Sequence, residues 1–209
     1  MRLVLLSDTH NLHHQIAIPD GDILIHAGDI SMMGHLEDIA AFDAWLAGLP
    51  HPQKVVIAGN HDFCFERRPA EAQALLKHAH YLRDSSLTLN GLRLYGSPWQ
   101  PWFFDWAFNL KRGPEIRAKW DLIPAGIDIL ITHGPPAGHG DFTLHGDRAG
   151  CVDLLDAVRR VRPRLHLFGH IHEGYGQTRE GPTLCVNACN CNPAYVVANS
   201  PIVLDWPLP

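Results

Sequence analysis

Five short, nearly continuous apolar runs recur along the chain, at residues 3–6, 23–25, 55–58, 129–131 and 165–168. Apolar runs of this length, flanked by turn residues, are typical of strands that are buried on both faces. Segments with helical spacing of their apolar positions lie between the runs, at residues 36–49, 70–80, 114–122 and 152–161. This alternation of strands and helices predicts an α/β fold.

Further strand signals predict that the sheets are mixed. The apolar residues 87–89 and 92–95 flank an Asn90-Gly91 turn, which is a strong signal for an antiparallel hairpin. Two late strands are expected at residues 184–186 and 202–204. We therefore expect one mixed sheet or two, and, because no repeat or low-complexity linker divides the chain, a single domain over residues 1–209.

Composition and charge limit the classes of partner. The chain has 17 Lys and Arg against 22 Asp and Glu, for a net charge of −5, and 46% hydrophobic residues. A negative chain lacks the broad basic surface that long nucleic acids require, but a small anionic substrate can still bind a local positive centre. The first apolar run is too short for a signal peptide, and no run approaches the length of a membrane-spanning helix. We expect a cytoplasmic protein without a membrane partner, and an odd number of cysteines, 5, that stay reduced.

Each of the five apolar runs is followed by polar residues that can bind a metal ion. The segments are Asp8-Thr9-His10, Gly28-Asp29, Gly59-Asn60-His61-Asp62, His133-Gly134 and Gly169-His170-Ile171-His172. Taken singly, each has a simpler interpretation as a turn, a helix cap or a surface histidine. Together they fall at the carboxyl ends of predicted strands, where open α/β sheets place their sites. The joint pattern predicts a metal centre.

This series of motifs resembles that of the calcineurin-like metallophosphoesterase family, which reads Asp-x-His, Gly-Asp, Gly-Asn-His, His and Gly-His-x-His. The resemblance spans residues 8–172 and implies a sandwich of two mixed β-sheets flanked by helices. It implies a first metal ion held by Asp8, His10 and His172, and a second held by Asn60, His133 and His170. It further implies that Asp29 bridges the two ions and that His61 is the general acid.

The charge of such a centre accounts for its chemistry. Two divalent cations and two carboxylates, Asp8 and Asp29, leave a charge of about +2, which attracts a phosphate and a hydroxide. Two ions roughly 3.5 to 4 Å apart lower the pKa of a bridging water towards neutrality and hold the phosphoryl oxygens during displacement. Imidazole, carboxylate and amide ligands suit Mn²⁺, which we favour, with iron, zinc and nickel as alternatives. The expected reaction is attack of the bridging hydroxide on a phosphate ester.

Within this superfamily, the residues beside the motifs narrow the substrate. Protein Ser/Thr phosphatases have an Asp-Arg pair after Gly-Asp and an Arg before Gly-Asn-His, but Met32, Met33 and Ala58 occupy those places here. Segments 95–101, 132–136 and 187–189, the last followed by Pro201-Ile202, are similar to those of the small phosphodiesterases called metallophosphoesterase-domain-containing proteins. That similarity implies hydrolysis of small phosphodiesters, with cyclic nucleotides favoured.

Two other functions stay open at this stage. A phosphomonoesterase would use the same site, and a non-catalytic nucleotide-binding module would keep the fold without turnover. The intact ligand set favours an enzyme. The sequence does not determine the physiological substrate, the native metal, or whether the protein is a homodimer.

Three further groups of residues have alternative interpretations. The aromatic residues of segment 99–106 either stack on a nucleobase or, as we favour for most of them, pack a loop. Cys185, Cys189 and Cys191 lack a nearby fourth zinc ligand, so we interpret them as small buried residues. His139 and His145 lie in the loop after His133 and are candidates for substrate contact.

Overall fold

Two mixed β-sheets pack face to face in the computed structural model, which describes residues 1–208. The strands are β1 (Arg2–Leu6), β2 (Ile23–His26), β3 (Gln53–Val56), β4 (His80–Tyr81), β5 (Ser85–Leu89), β6 (Leu92–Ser97), β7 (Gln100–Pro101), β8 (Asn109–Leu110), β9 (Ile129–Thr132), β10 (Leu165–Phe168), β11 (Gly176–Glu180), β12 (Thr183–Asn187) and β13 (Ile202–Asp205). The helices are α1 (Leu36–Ala47), α2 (Phe63–Arg67), α3 (Pro69–Leu75), α4 (Pro114–Trp120) and α5 (Val152–Val161). The predicted α/β sandwich of two mixed sheets is confirmed.

The first sheet has the strand order β13-β1-β2-β3-β4, and the second has the order β11-β12-β10-β9-β6-β5. In the first, β1 to β4 are parallel and only β13 is antiparallel. In the second, β6, β9, β10 and β12 are parallel, and the two outer strands are antiparallel. The Asn90-Gly91 turn closes the predicted hairpin of β5 and β6. The parallel strands that precede the five motifs are therefore divided between the two sheets: β1, β2 and β3 lie in the first, and β9 and β10 lie in the second.

The apolar runs are continuous because both faces of each central strand are buried. In β1, Leu3 and Leu5 pack between the two sheets, whereas Val4 lies under the helices on the outer face of the first sheet. In β9, Ile129 packs between the sheets, and Leu130 lies under α4 and α5. Helices on both outer faces therefore remove the alternation of apolar and polar positions that a half-exposed strand would show.

Several predicted boundaries differ from the structure by a few residues, and two of these differences have a clear physical cause. The helix expected over residues 70–80 ends at Leu75, because the Asp43 carboxylate from α1 accepts the backbone N–H groups of Lys77 and His78 and draws the chain out of the helix. The chain then enters β4. The strand expected at 55–58 begins earlier, at Gln53, because this polar residue pairs with Ile23 of β2. In both cases a contact between residues that are distant in the chain sets the boundary, and the local pattern of apolar residues does not.

The length and hydrophobicity of the helices bear on the expectation that the protein has no membrane partner. Among residues 1–208, no helix combines the length and the apolar character needed to cross a lipid bilayer.

Gly28 gives the first testable prediction, because its backbone lies against the loop after β3. It has φ of +98°, and a Cβ there would lie 2.6 Å from the carbonyl oxygen of Ala58. Gly91 also has a positive φ, +84°, but faces open space. We expect Gly91→Ala to lower the free energy of unfolding by roughly 1 to 2 kcal/mol through backbone strain alone, and Gly28→Ala to lower it further through the clash. Urea denaturation measures both, and equal losses would contradict the close packing at Gly28.

Candidate metal centre

The predicted site residues lie in the loops that follow the parallel strands, at one edge of the sandwich. Four of them turn the backbone into the left-handed region, with φ of 55° at Asp8, 43° at His10, 55° at Asp29 and 68° at His170. Such angles are uncommon for residues with a side chain and cluster at functional sites. These turns direct the four side chains back towards the edge at which the strands end.

The three residues predicted to hold the first ion meet in one group. His172 Nε2 lies 3.3 Å from Asp8 Oδ1 and 3.3 Å from His10 Nε2. His10 Nε2 lies 3.9 Å from the same Asp8 oxygen. A carboxylate oxygen and two imidazole nitrogens therefore converge on one small volume.

The residues predicted to hold the second ion form a second group. His133 Nε2 lies 2.8 Å from Asn60 Oδ1, and the rings of His133 and His170 have centroids 5.0 Å apart. Ligand atoms of Asp29, His133 and His170 all lie within 4.8 Å of one another. An imidazole nitrogen and an amide oxygen at this separation need a proton or a cation between them, because both otherwise present lone pairs.

Asp29 lies between the two groups. Its Oδ2 is 3.7 Å from His10 Nε2 in the first group and 3.4 Å from His133 Nε2 in the second. Its Oδ1 accepts the backbone N–H of His61 at 2.9 Å, which fixes the carboxylate and leaves Oδ2 facing the site. This is the position that a bridging ligand requires.

Backbone carbonyls set which nitrogen of three imidazoles faces the site. His172 Nδ1 lies 2.9 Å from the Asn192 carbonyl, and His133 Nδ1 lies 2.9 Å from that of Ala27. His61 Nδ1 lies 2.7 Å from the carbonyl of Met32. Since a carbonyl only accepts, each Nδ1 carries the hydrogen and each Nε2 is turned inward. Metal-binding histidines have this arrangement, so the donor set fits divalent ions.

The charges of the site reinforce one another. Burial alone raises the pKa of Asp8 and Asp29, but a hydrogen bond from His172 to Asp8, and the charge of His133 beside Asp29, bring both pKa values well below their usual range. Burial lowers the pKa of His10 to about 4. Against the same effect of burial, the two carboxylates raise the pKa of His133 and His172 to about 9. The two carboxylates thus stabilise positive charge on the neighbouring imidazoles. Divalent ions can supply that positive charge in place of protons.

His61 lies beside the two groups. Its Nε2 is 3.9 Å from Asp29 Oδ2, and with His10 and Asp29 it offers one of three ligand atoms within 4.8 Å of one another. The indole of Trp106 lies on its ring, with centroids 4.2 Å apart. The structure therefore places His61 at the site, while its role as general acid stays a prediction.

A cleft of about 580 Å³ opens over Asp29, Asn60 and His61. Three of the five aromatic residues of segment 99–106 line it: Trp102, Phe103 and Trp106. Trp99 instead donates its indole N–H to Asp84. His145 lines the cleft, whereas His139 lies against Thr178 and Glu180 elsewhere.

Sequence reasoning missed two residues that contact the site. Tyr195 has φ of 57°, and its ring lies edge-on to His10 and His172, with centroids 4.8 and 5.5 Å away. Cys189, expected to be only a small buried residue, also places its sulfur 3.1 Å from Asp8 Oδ2. Neither belongs to the five metal-binding motifs, but both follow β12, the last parallel strand of the second sheet, and Cys189 lies in the family-like segment 187–189, which was a usable signal.

Asp62, the last residue of Gly59-Asn60-His61-Asp62, joins two of the site loops. Its buried carboxylate accepts the backbone N–H groups of Ile30, Ser31 and Gly59 at 3.2, 3.0 and 2.9 Å, and the Ser31 hydroxyl at 2.8 Å. The loops that carry Asp29 and Asn60 are therefore held to the same side chain.

Comparison with known proteins gives one family. Residues 1–174 match the model of the family described as calcineurin-like phosphoesterase. Two relatives are each called metallophosphoesterase domain-containing protein 1, one from Homo sapiens and one from Mus musculus. Each is 47% identical to this chain over 233 residues, and the match covers 100% of this chain and 72% of the relative. The crystal structure of TT1561 of Thermus thermophilus superposes with a TM-score of 0.59 at 15% identity, covering 89% of this chain and 88% of that one. At this identity the superposition shows the fold alone.

Asp62 gives the second testable prediction. We expect Asp62→Ala to lower the free energy of unfolding by about 2 to 4 kcal/mol, since several buried donors lose their acceptor at once, and to weaken metal binding. Asp43→Ala is the matched control, because that buried carboxylate also accepts two backbone N–H groups but lies outside the site loops. Thermal unfolding and metal titration separate the two effects. Unchanged metal affinity in folded Asp62→Ala would show that the loops keep their geometry without it.

Proposed function

Because this chain belongs to the calcineurin-like phosphoesterase family, whose members are phosphoric ester hydrolases, we propose that it hydrolyses small phosphodiesters, with cyclic nucleotides as the favoured class. The observation that carries the proposal is the place of Asp29 Oδ2 between two groups of metal-binding side chains. One carboxylate within reach of both groups fits a pair of divalent ions.

The two groups divide the proposed ligands as the motifs do. Asp8, His10 and His172 would hold one ion, Asn60, His133 and His170 the other, and Asp29 both. When bound, two divalent ions supply activation of a water molecule and neutralisation of the phosphoryl oxygens. Nitrogen and oxygen ligands without a thiolate suit manganese, iron, zinc and nickel alike, and among these we propose manganese first.

His61 is proposed to protonate the oxygen that leaves. Its Nδ1–H is committed to the carbonyl of Met32, so the transferable proton must be carried on Nε2, in the imidazolium form. That nitrogen lies 3.9 Å from Asp29 Oδ2, at the site. Trp106 covers one face of the ring and keeps its edge aimed into the cleft.

The cleft favours a substrate with an organic group attached to the phosphate. A phosphate alone would leave most of its 580 Å³ empty. Trp102 lines it with 59% of its surface exposed. Arg112 also lines it, and its guanidinium is held in place by donation to the carbonyls of Ala149 and Gly150. Aromatic faces and a guanidinium are groups on which a nucleobase stacks.

The third prediction tests the function itself. Turnover of bis-p-nitrophenyl phosphate, p-nitrophenyl phosphate and 2′,3′- and 3′,5′-cyclic nucleotides would be measured with Mn²⁺, Fe²⁺, Zn²⁺ and Ni²⁺. We expect two ions per chain and a preference for diesters. Asp29→Asn should lose about 100-fold or more in rate, and more than Asn60→Ala, because it removes charge shared by both ions.

Other outcomes would contradict the proposal in different ways. Preference for the monoester would indicate a phosphomonoesterase, and metal binding without turnover of any ester would indicate a binding module. Full activity of Asp29→Asn would remove the bridging assignment.

The fourth prediction concerns His61. A ribose alkoxide needs a proton in the transition state, whereas p-nitrophenolate departs almost unaided. His61→Ala should therefore slow cyclic-nucleotide hydrolysis by about 10²- to 10⁴-fold and bis-p-nitrophenyl phosphate hydrolysis much less, at equal metal content. His139→Ala, which removes an imidazole that lies against Thr178 and Glu180 and does not line the cleft, is the control and should not discriminate between the substrates. Equal losses for both substrates in His61→Ala would eliminate the general-acid role.

A further inference from the structure

We propose that Cys189 is a positioning residue for the metal centre: its thiol holds Asp8 so that Oδ1 faces His10 and His172. This inference rests on the proposed function, because it concerns the affinity of the first group for its ion. It gives a role to a residue that the sequence indicates only as small and buried.

The two oxygens of Asp8 have different surroundings. The backbone N–H of His170 lies 3.0 Å from Oδ2 and 3.1 Å from Oδ1, so it does not distinguish them, whereas Cys189 Sγ lies 3.1 Å from Oδ2. Oδ1 lies 3.3 Å from His172 Nε2. Cys189 and Asp8 are both 0% exposed. Since an ionised carboxylate only accepts hydrogen bonds, the thiol is the donor, and it holds Oδ2 while Oδ1 faces His172.

The backbone around Cys189 fixes the direction of its side chain. After β12, Cys189 forms a parallel bridge with Ser7, at the end of β1. The next residue, Asn190, donates its N–H to the Ser7 carbonyl at 2.8 Å and accepts the Ser7 N–H on its side-chain oxygen at 3.3 Å. The Asn187 side chain accepts the N–H of Cys189 at 3.0 Å. These bonds join the second sheet to the first, so the thiol is held against Asp8.

Loss of the donor would free the carboxylate. Asp8 Oδ2 would keep only a backbone partner, and the side chain could rotate away from His172. Partners of this kind, which orient a ligand without touching the metal, typically contribute 10- to 100-fold to metal affinity. A serine at the same position offers a hydroxyl donor to the same oxygen.

The experiment measures metal binding rather than turnover. Chelator-treated protein would be titrated with Mn²⁺ by calorimetry, for wild type, Cys189→Ala, Cys189→Ser and Cys191→Ala. Cys191 is the matched control, because its equally buried sulfur lies 3.9 Å from the Thr9 carbonyl and not against a carboxylate. We expect Cys189→Ala to lower the affinity for one of the two Mn²⁺ ions by about 10- to 100-fold. Cys189→Ser should restore most of that affinity, and Cys191→Ala should bind Mn²⁺ as wild type does.

Unchanged affinity in Cys189→Ala, or Cys189→Ser no better than Cys189→Ala, would overturn the inference. Wild type that binds no Mn²⁺ would instead contradict the proposed function. If Cys189→Ala does not fold, the Co²⁺-loaded wild type still decides. A sulfur-to-cobalt charge-transfer band that disappears in Cys189→Ser would show that the sulfur binds the ion itself, and its absence supports the thiol as a donor to Asp8.

Discussion

Two ionised carboxylates, Asp8 and Asp29, are buried at the edge of the sandwich, and burial of negative charge is the constraint on which the site depends. Removing a carboxylate from water costs several kcal/mol unless hydrogen bonds and opposite charges compensate. Asp8 receives the His170 N–H and the Cys189 thiol, and Asp29 receives the N–H of His61. The remaining oxygen of each carboxylate faces imidazoles, where positive charge is required.

This constraint links the metal centre to the packing of the sheets. Asp8, Asp29 and Asn60 follow strands of the first sheet, whereas His133, His170 and His172 follow strands of the second. Neither sheet alone contains a complete set of donors. The site therefore forms only when the two inner faces pack, and an ion that binds both sets would stabilise the folded chain over the unfolded one.

The same geometry separates two tasks within the cleft. The floor carries Asp29, Asn60, His170 and His172, whose side chains suit ions and phosphate. The walls carry Trp102, Tyr195 and Arg112, which suit the organic part of a substrate. The floor is encoded by short motifs, and the walls come from loops whose shape depends on the whole fold. Reaction type and substrate choice are thus encoded in different parts of the chain.

The sequence by itself determined where along the chain the strands that carry the site lie, and which residues follow them. Burial on both faces makes each such strand a continuous apolar run, and the proposed metal-binding side chains follow directly in the chain. Only the tertiary structure decided the contacts between distant residues: the end of α3, set by Asp43 about 34 residues away, and the bond between Cys189 and Asp8, 181 residues apart. A local pattern records the neighbours of a residue along the chain, whereas these contacts exist only after the two sheets have packed.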